Sequence, residues 1–255
     1  MIPLTRVPSL FNIGHVFPPP PLHMEARLGF EYLDLMRSPL YKGVDAPKSN
    51  GQAILLIPGF LAGDWTLATL KGWLERCGYK VKMSGISFNV ADSEYTMEGI
   101  EKQVGCLERH SGGKITIIGQ SRGGLLASVF AHRHPEMVKK VIMLGSPIAN
   151  PFDVHPFTMA GVKIAGIAKG LNYSKARISE IKFLDELRER VAVPTHSLYS
   201  RSDGIINWET CVREDVVSHR IHSSHVGMAV NREAYQTMAE ILPQKKIVAS
   251  FNGLS

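Results

Sequence analysis

The sequence K-I-T-I-I-G-Q-S-R-G-G-L-L, at Lys114–Leu126, decides the fold. Its β-favouring residues, Ile115–Ile118, run into G-Q-S-R-G at 119–123, and a helical pattern of apolar residues then begins. This order predicts a buried strand, a sharp turn and a helix. The turn would hold Ser121, at its apex, in a backbone conformation that is rare for a residue with a Cβ. Glycines flank the serine because side chains there would collide across so tight a turn.

Short apolar runs alternate with helical patterns on both sides of that stretch. Strands are predicted at Ala53–Ile57, Tyr79–Met83, Ile115–Ile118, Val138–Leu144, Thr195–Tyr199 and Val216–Ile221. Helices are predicted over Trp65–Cys77, Tyr95–His110, Arg122–His134, Arg177–Arg190 and Arg232–Leu242. Asp64 is the predicted N-cap of the first of these helices. Such alternation predicts the α/β class, with a mostly parallel central sheet and helices on both faces.

The domain organisation follows from where this alternation starts. Residues 1–50 lack strong periodicity, apart from a prolyl connector at Pro18–Pro21 and a possible helix over Glu25–Met36. We predict that residues 1–50 form an arm that packs on a single domain of residues 51–255. The length of 255 residues suits one α/β domain with a sizeable core.

Composition excludes several classes of protein. The net charge is +6, but lysines and arginines are scattered, so we expect no nucleic-acid partner. No apolar run approaches the length of a membrane span, and the first residues do not have the pattern of a signal peptide. The three cysteines suit a reducing compartment, so we expect a cytoplasmic location. No feature indicates an oligomeric state.

Two further polar groups follow predicted strands at the same edge of the sheet as Ser121. Asp203 lies after the strand Thr195–Tyr199, and His225 lies after the strand Val216–Ile221. The carboxyl ends of parallel strands share one edge, so these three side chains could converge there. A serine hydroxyl needs a base to take its proton and a third group to orient that base. The sequence offers these three groups in the order Ser, Asp, His.

With these motifs, residues 52–242 resemble the α/β-hydrolase superfamily, and within it the serine esterase and lipase branch. The carriers are P-G-F at Pro58–Phe60, G-Q-S-R-G-G at Gly119–Gly124, S-R-S-D-G at Ser200–Gly204 and S-S-H-V-G at Ser223–Gly227. The resemblance implies Ser121 as nucleophile, Asp203 as the group that orients the base, and His225 as general base and then acid. It also implies cleavage of a carboxylic ester through an acyl-enzyme, with no cofactor and no metal.

Two backbone N–H groups are candidates for an oxyanion hole. The N–H of Arg122 follows the nucleophile at the start of a helix, where the helix dipole favours negative charge. The second donor in this family comes from the loop after the first core strand, here Phe60. A proline at position 58 departs from the frequent H-G-x pattern and leaves Phe60 and Leu61 as alternatives.

Rival residues exist for several of these roles. Asp153 is the main alternative to Asp203 as the acid. Among the other histidines, His155 is the strongest alternative to His225 as the base. The side chain of Arg122 would either pair with a carboxylate of the protein or bind a substrate carboxylate or phosphate.

The segment from about residue 149 to 176 falls between two core strands, where this family inserts a cap. Its apolar character predicts a small lid whose Phe152, Phe157 and Met159 would line a pocket for an apolar acyl group. The alternative is that these residues only bury the lid against the domain. The expected partner is thus a small-molecule ester. A thioesterase, an acyltransferase, a lyase and a non-catalytic binding module of the same fold are the other functions considered.

Overall fold

A six-stranded parallel sheet runs through the centre of the computed structural model, which describes residues 20–44, 46–151, 153 and 173–243. The strands are β1 (Ala53–Ile57), β2 (Lys80–Met83), β3 (Ile115–Gln120), β4 (Val138–Leu144), β5 (Thr195–Tyr199) and β6 (Val217–Arg220). Their spatial order is β2-β1-β3-β4-β5-β6, and every adjacent pair is parallel. All residues of β1 and β3 are buried, as apolar runs in a sheet covered on both faces should be.

Helices cover both faces of this sheet, which confirms the predicted fold class. They are α1 (Leu28–Arg37), α2 (Ala68–Arg76), α3 (Ser93–Ser111), α4 (Arg122–Arg133), α5 (Tyr173–Arg188) and α6 (Arg232–Ile241). Leu55 and Ile57 of β1 belong to an apolar cluster with residues of α3, α4 and α5. Ile54 and Leu56 belong to a second cluster with residues of α1, α2 and α6. Successive residues of the strand thus bury alternate faces.

The arm contributes its own apolar residues to the second cluster. Leu35 of α1 is fully buried there, and the indole N–H of Trp73 donates to the carbonyl of Leu40 at 3.1 Å. A 3-10 helix over Leu22–Arg27 precedes α1, so the predicted helix over Glu25–Met36 is two short helices of different kinds.

One predicted helix cap is wrong. Asp64 opens a 3-10 turn over Asp64–Leu67 instead of capping α2, and it makes no side-chain cap bond. Its carboxylate accepts from the hydroxyl of Ser84 at 2.6 Å and from the N–H of Gly85 at 2.7 Å. Both partners belong to the turn after β2, and the local sequence around Asp64 does not reveal them.

Within the part of the chain that the structure describes, none of the helices is both long and apolar enough to cross a lipid bilayer.

Candidate active site

Ser121 occupies the sharp turn between β3 and α4. Its φ of 51° and ψ of −121° confirm the predicted strained conformation. The Ser121 N–H donates to the carbonyl of Leu144 at 2.8 Å, which fixes the turn to the end of β4. A Cβ on Gly119 would overlap the backbone of Gly123, and a Cβ on Gly123 would overlap the carbonyl of Ile57. The two glycines are therefore required by the close approach of strand and helix.

Asp203 and His225 form a buried pair at the same edge of the sheet. The Nδ1 atom of His225 lies 2.7 Å from Oδ2 of Asp203, and their side chains are only 6% and 1% exposed. The other carboxylate oxygen accepts the N–H groups of Ile205 at 2.8 Å and Ile206 at 2.7 Å. Asp203 therefore holds its own turn with one oxygen and the imidazole with the other.

This pairing decides which nitrogen of His225 carries the proton. An ionised carboxylate only accepts hydrogen bonds, so Nδ1 must donate to Asp203 and Nε2 keeps a free lone pair. Burial by itself lowers the pKa of His225, but the charge and hydrogen bond of Asp203, aided by the charge of Glu25, outweigh it and raise the pKa above 6.5. The imidazole is thus a stronger base than an exposed histidine.

Several contacts locate His225 next to the turn of Ser121. The side-chain amide of Gln120, the residue before the serine, donates to the carbonyl of His225 at 3.2 Å. A Cβ on Gly145 would lie 3.0 Å from Nδ1 of His225. Gly145 directly follows Leu144, whose carbonyl accepts the Ser121 N–H. The ends of β3 and β4 and the histidine loop therefore meet at one place.

Two backbone N–H groups beside Ser121 have no acceptor among the described residues, those of Phe60 and Arg122. The loop after β1 lies on the serine, since a Cβ on Gly59 would be 3.2 Å from Cβ of Ser121. The N–H of Leu61 instead donates to the carbonyl of Asn89 at 3.2 Å. This contact favours Phe60 over Leu61 as the donor from this loop.

The guanidinium of Arg122 binds the loop before α3. It donates to Oδ1 of Asn89 at 2.7 Å, to the carbonyl of Ala91 at 2.7 Å and to the hydroxyl of Ser93 at 3.2 Å. These partners are neutral, and among the described residues no carboxylate pairs directly with Arg122. Binding of a substrate group by this side chain stays a prediction. The amide of Asn89 also donates to the carbonyl of Pro58 at 2.7 Å. Arg122 therefore braces, through Asn89, the loop that carries the Phe60 N–H.

The rival acid has a different partner. Oδ2 of Asp153 accepts from the side-chain amide of Asn207 at 3.0 Å, and its carbonyl accepts the N–H of the same residue at 3.3 Å. Asp153 thus holds the segment after β5. His155 and the predicted lid residues Phe152, Phe157 and Met159 lie outside the described residues.

Two residues that sequence reasoning missed contact this site, Asn89 and Glu25. Asn89 is 1% exposed in a loop, and no motif marks it. Glu25 belongs to the arm and accepts the N–H of His225 at 2.8 Å. Neither position carries a local signal, because its partners are distant in the sequence. Among the residues with described side chains, no three His, Cys, Asp or Glu come together as metal ligands would.

Comparison with known proteins agrees with this geometry. Residues 53–169 match the family described as alpha/beta hydrolase fold. The parallel sheet and the turn at Ser121 agree with the fold that this match describes. The superfamily resemblance stated from the motifs is confirmed.

Individual relatives are more distant. Over 89 residues the chain is 35% identical to phospholipase A(1) LCAT3 of Arabidopsis thaliana. This alignment covers 32% of this chain and 20% of that protein. The chain therefore spans about a fifth of that relative. The monoacylglycerol lipase of Paleococcus ferrophilus is 16% identical, with a TM-score of 0.55 over 77% of this chain and 95% of that one. The lipase BlEst2 of Bacillus licheniformis is 12% identical, with a TM-score of 0.56 over 77% of this chain and 94% of that chain. Both show the shared fold.

Proposed function

We propose that this protein is a serine hydrolase that cleaves a carboxylic ester through an acyl-enzyme. The observation that carries the proposal is the buried pair of Asp203 and His225, whose Nδ1 and Oδ2 atoms lie 2.7 Å apart beside the strained turn of Ser121. A buried carboxylate that orients an imidazole near a serine hydroxyl is the arrangement that activates an alcohol. The lipase and phospholipase names of the relatives support an ester substrate with an apolar acyl group.

The reaction begins with attack of the Ser121 hydroxyl on the ester carbonyl while Nε2 of His225 takes its proton. The imidazolium that forms is stabilised by the ionised Asp203. The negative charge on the carbonyl oxygen would be held by the N–H groups of Phe60 and Arg122. Collapse of the tetrahedral intermediate expels the alcohol, which receives the proton from His225. Water, deprotonated by the same imidazole, then attacks the acyl-enzyme. The acid is released as the Ser121 oxygen takes the proton back from His225.

The unoccupied hydrogen-bonding capacity of these two amides supports their assignment. Amides that already point at an acceptor would have to break that bond before stabilising an oxyanion, which costs catalytic free energy. The brace of Arg122 and Asn89 keeps the loop of Phe60 against the serine turn. A preorganised pair of donors is worth more in the transition state than donors that must be reoriented.

The direct test is covalent labelling of the nucleophile. Wild-type protein treated with a fluorophosphonate should gain one label, mapped to Ser121 by peptide mass spectrometry, and should hydrolyse a short p-nitrophenyl ester. Ser121→Ala should remove both the label and the hydrolysis while the circular dichroism spectrum stays the same. Ser128→Ala, a buried serine on the same helix, is the matched control and should keep both. A wild-type protein that takes no label would refute the acyl-enzyme.

The same preparation distinguishes the related reactions. Graded p-nitrophenyl esters, a thioester and an added alcohol acceptor report ester hydrolysis, thioester hydrolysis and acyl transfer respectively. We expect the ester to be the best substrate and longer acyl chains to be preferred over acetate. A thioester that is turned over far faster than any ester would replace the proposed substrate class.

A further inference from the structure

A carboxylate of the arm, that of Glu25, accepts hydrogen bonds from the backbone of two turns. One turn carries Asp203 and the other carries His225. Oε1 of Glu25 accepts the N–H of His225 at 2.8 Å and the N–H of Gly204 at 2.9 Å. Oε2 accepts the N–H of Val226 at 2.9 Å. Gly204 directly follows Asp203, so one side chain ties the two turns together.

A second carboxylate of the arm holds the residues just before the histidine. Oε1 of Glu31 accepts the N–H of Ser224 at 2.7 Å, and Oε2 accepts the hydroxyls of Ser223 at 2.9 Å and Ser224 at 3.2 Å. Glu31 is only 7% exposed, and a Cβ on Gly227 would overlap its carboxylate. The fit leaves no space for a bulkier loop, so the two surfaces are matched.

These contacts are of the strong kind. Hydrogen bonds from a backbone N–H to an ionised carboxylate are roughly twice as strong as those between neutral groups. The 3-10 helix that starts after the histidine, at Val226–Val230, leaves its first N–H groups without partners in its own helix. The side chain of His225 does not cap it, and Oγ of Ser224 accepts only the N–H of Gly227, at 3.1 Å. Glu25 satisfies two of these groups from a different part of the chain. The arm therefore does for this helix what a local cap does elsewhere.

Position and charge act in the same direction. Among the described residues, the charged groups around His225 are Asp203 on the turn after β5 and two carboxylates of the arm, Glu25 and Glu31. The guanidinium of Arg27 lies 3.9 Å from Glu31. The negative charge of Glu25 favours the protonated imidazole and helps to raise its pKa. An imidazolium is the species that forms during attack by Ser121 in the proposed reaction.

We propose that Glu25 is a positioning residue of the active site, which clamps the Asp203 and His225 turns together and supports the imidazolium from outside the hydrolase core. The inference rests on the proposed function, because it assigns His225 the role of base. With this role of Glu25, the arm contributes to catalysis as well as to packing. Activity then depends on residues that precede the first strand of the sheet.

The test compares wild-type protein with Glu25→Gln in the full chain. Glutamine keeps the size and one acceptor oxygen, but its NH₂ group would face the N–H of Val226, so the clamp loosens and the charge is lost. We expect kcat for the p-nitrophenyl ester to fall about 10- to 100-fold with a small change in KM, since slight misplacement of a catalytic group has effects of this size. The acid limb of the pH profile should move to lower pH because the pKa of His225 falls.

Asp34→Asn is the matched control. It removes a carboxylate from the same arm, but Asp34 is exposed and its ion-pair partner, Arg232, lies at 3.9 Å on α6. Its kcat and pH profile should stay within twofold of wild type. A Glu25→Gln protein with a lower melting temperature but an unchanged kcat and acid limb would show a purely structural tie and overturn the proposal.

A second variant keeps the test decisive if Glu25→Gln does not fold. In Gly204→Ala the added Cβ would lie 2.8 Å from Oε1 of Glu25 and 2.9 Å from the carbonyl of Pro21, so it would displace this part of the arm without removing the charge of Glu25. We expect a lower kcat with little movement of the acid limb. Full activity in this variant would contradict the clamp.

The pKa of His225, followed by NMR on the imidazole protons, separates this inference from the proposed function. Suppose that wild-type protein takes no fluorophosphonate label but the pKa of His225 falls in Glu25→Gln. This result would uphold the positioning role of Glu25 and refute the hydrolase. A labelled, active wild type with an unchanged pKa of His225 and an unchanged kcat in Glu25→Gln would refute only the clamp.

Discussion

Two charge clusters tie distant parts of this chain together, and they differ in burial. At the edge of the sheet, Asp203 and His225 are 1% and 6% exposed. On the helical face, Arg133 of α4 binds Glu94 of α3 and Glu186 of α5, with side chains 19%, 31% and 20% exposed. Each cluster joins elements that no local pattern connects.

The difference in exposure separates two uses of charge. Water reaches the cluster of Arg133, so its attractions are screened and it can fasten three helices without a large desolvation cost. Water is excluded from the pair of Asp203 and His225, so each proton that moves there changes the interaction strongly. A buried pair is a poor way to gain stability but a good way to tune a base. The predictions below separate these two roles.

The largest expected effect comes from removing the charge of Asp203. Asp203→Asn should lower kcat by about four orders of magnitude, because the amide donates to Nδ1 and selects the wrong imidazole tautomer. The remaining amide oxygen can still accept from Ile205 and Ile206, so the turn should persist. Steady-state hydrolysis of a p-nitrophenyl ester measures the loss.

Asp153→Asn is the matched control, since Asp153 pairs with Asn207 and not with the histidine. It should change kcat only a few-fold. The opposite pattern, an inactive Asp153→Asn and an active Asp203→Asn, would mean that the acid has been misassigned.

Acidification should affect activity before it affects stability. The base must be neutral, so kcat/KM should fall about tenfold per pH unit below the raised pKa of His225, with a midpoint above 6.5. The raised pKa means that the stability from this group is fully present below 6.5 and is lost only as pH rises through the folded-state value. The free energy of unfolding should therefore not decrease between pH 8 and 6.5.

Below pH 6.5 stability should begin to fall, for reasons outside the site. Burial, with Lys140 and His219 nearby, lowers the pKa of His196 to about 4, so the unfolded chain takes up the proton first. The hydrogen bond from Arg133 lowers the pKa of Glu94, so its contribution is present above 4.5 and disappears only in more acid solution. Urea unfolding at each pH measures the free energy of unfolding, and ester hydrolysis at the same pH values measures kcat/KM. Parallel loss of activity and stability from pH 8 downward would contradict this separation.

The smallest effect on activity should follow from breaking the exposed cluster. Arg133→Met should reduce the free energy of unfolding by about 1–3 kcal/mol, between the values for exposed and buried pairs. Activity should stay within twofold, because no contact of Arg133 reaches the site. The midpoint of urea denaturation reports the change.

Lys71→Met supplies the comparison for an exposed pair. Lys71 binds Glu75 one turn along α2 with both side chains well exposed, and such pairs contribute about 0.3–0.5 kcal/mol. A loss in Arg133→Met no larger than this would mean that the cluster on α4 is an ordinary surface pair.

Local physics made much of the fold predictable. The strands Ala53–Ile57, Val138–Leu144 and Thr195–Tyr199 have the predicted bounds. The first is the uninterrupted apolar run expected of a strand that is buried on both faces. Asp92, directly before α3, has the residue type of an N-cap, and its side chain accepts the N–H groups of Glu94 and Tyr95. These features depend on residues within a few positions of one another.

Other features needed partners that the sequence does not identify. Asp64 has the residue type and place of a cap, yet Ser84 and Gly85 compete for its carboxylate. The role of the Arg122 side chain depended on Asn89 and on a loop whose path no pattern specifies. In each case the contact joins the start of a helical segment to a loop that is distant in the sequence.

The sequence by itself determined the alternation of strands and helices, the strained turn at Ser121, and the order in which serine, acid and histidine follow their strands. Hydrophobic periodicity and steric limits on the backbone act between neighbours in the chain, so they can be deduced from the sequence. Only the tertiary structure decided that Asp203 contacts His225, that the Leu61 N–H is already bonded, and that Glu25 reaches the backbone of His225. Hydrogen bonds of this kind depend on atoms being within about 3 Å of each other, and separation along the chain does not set that distance.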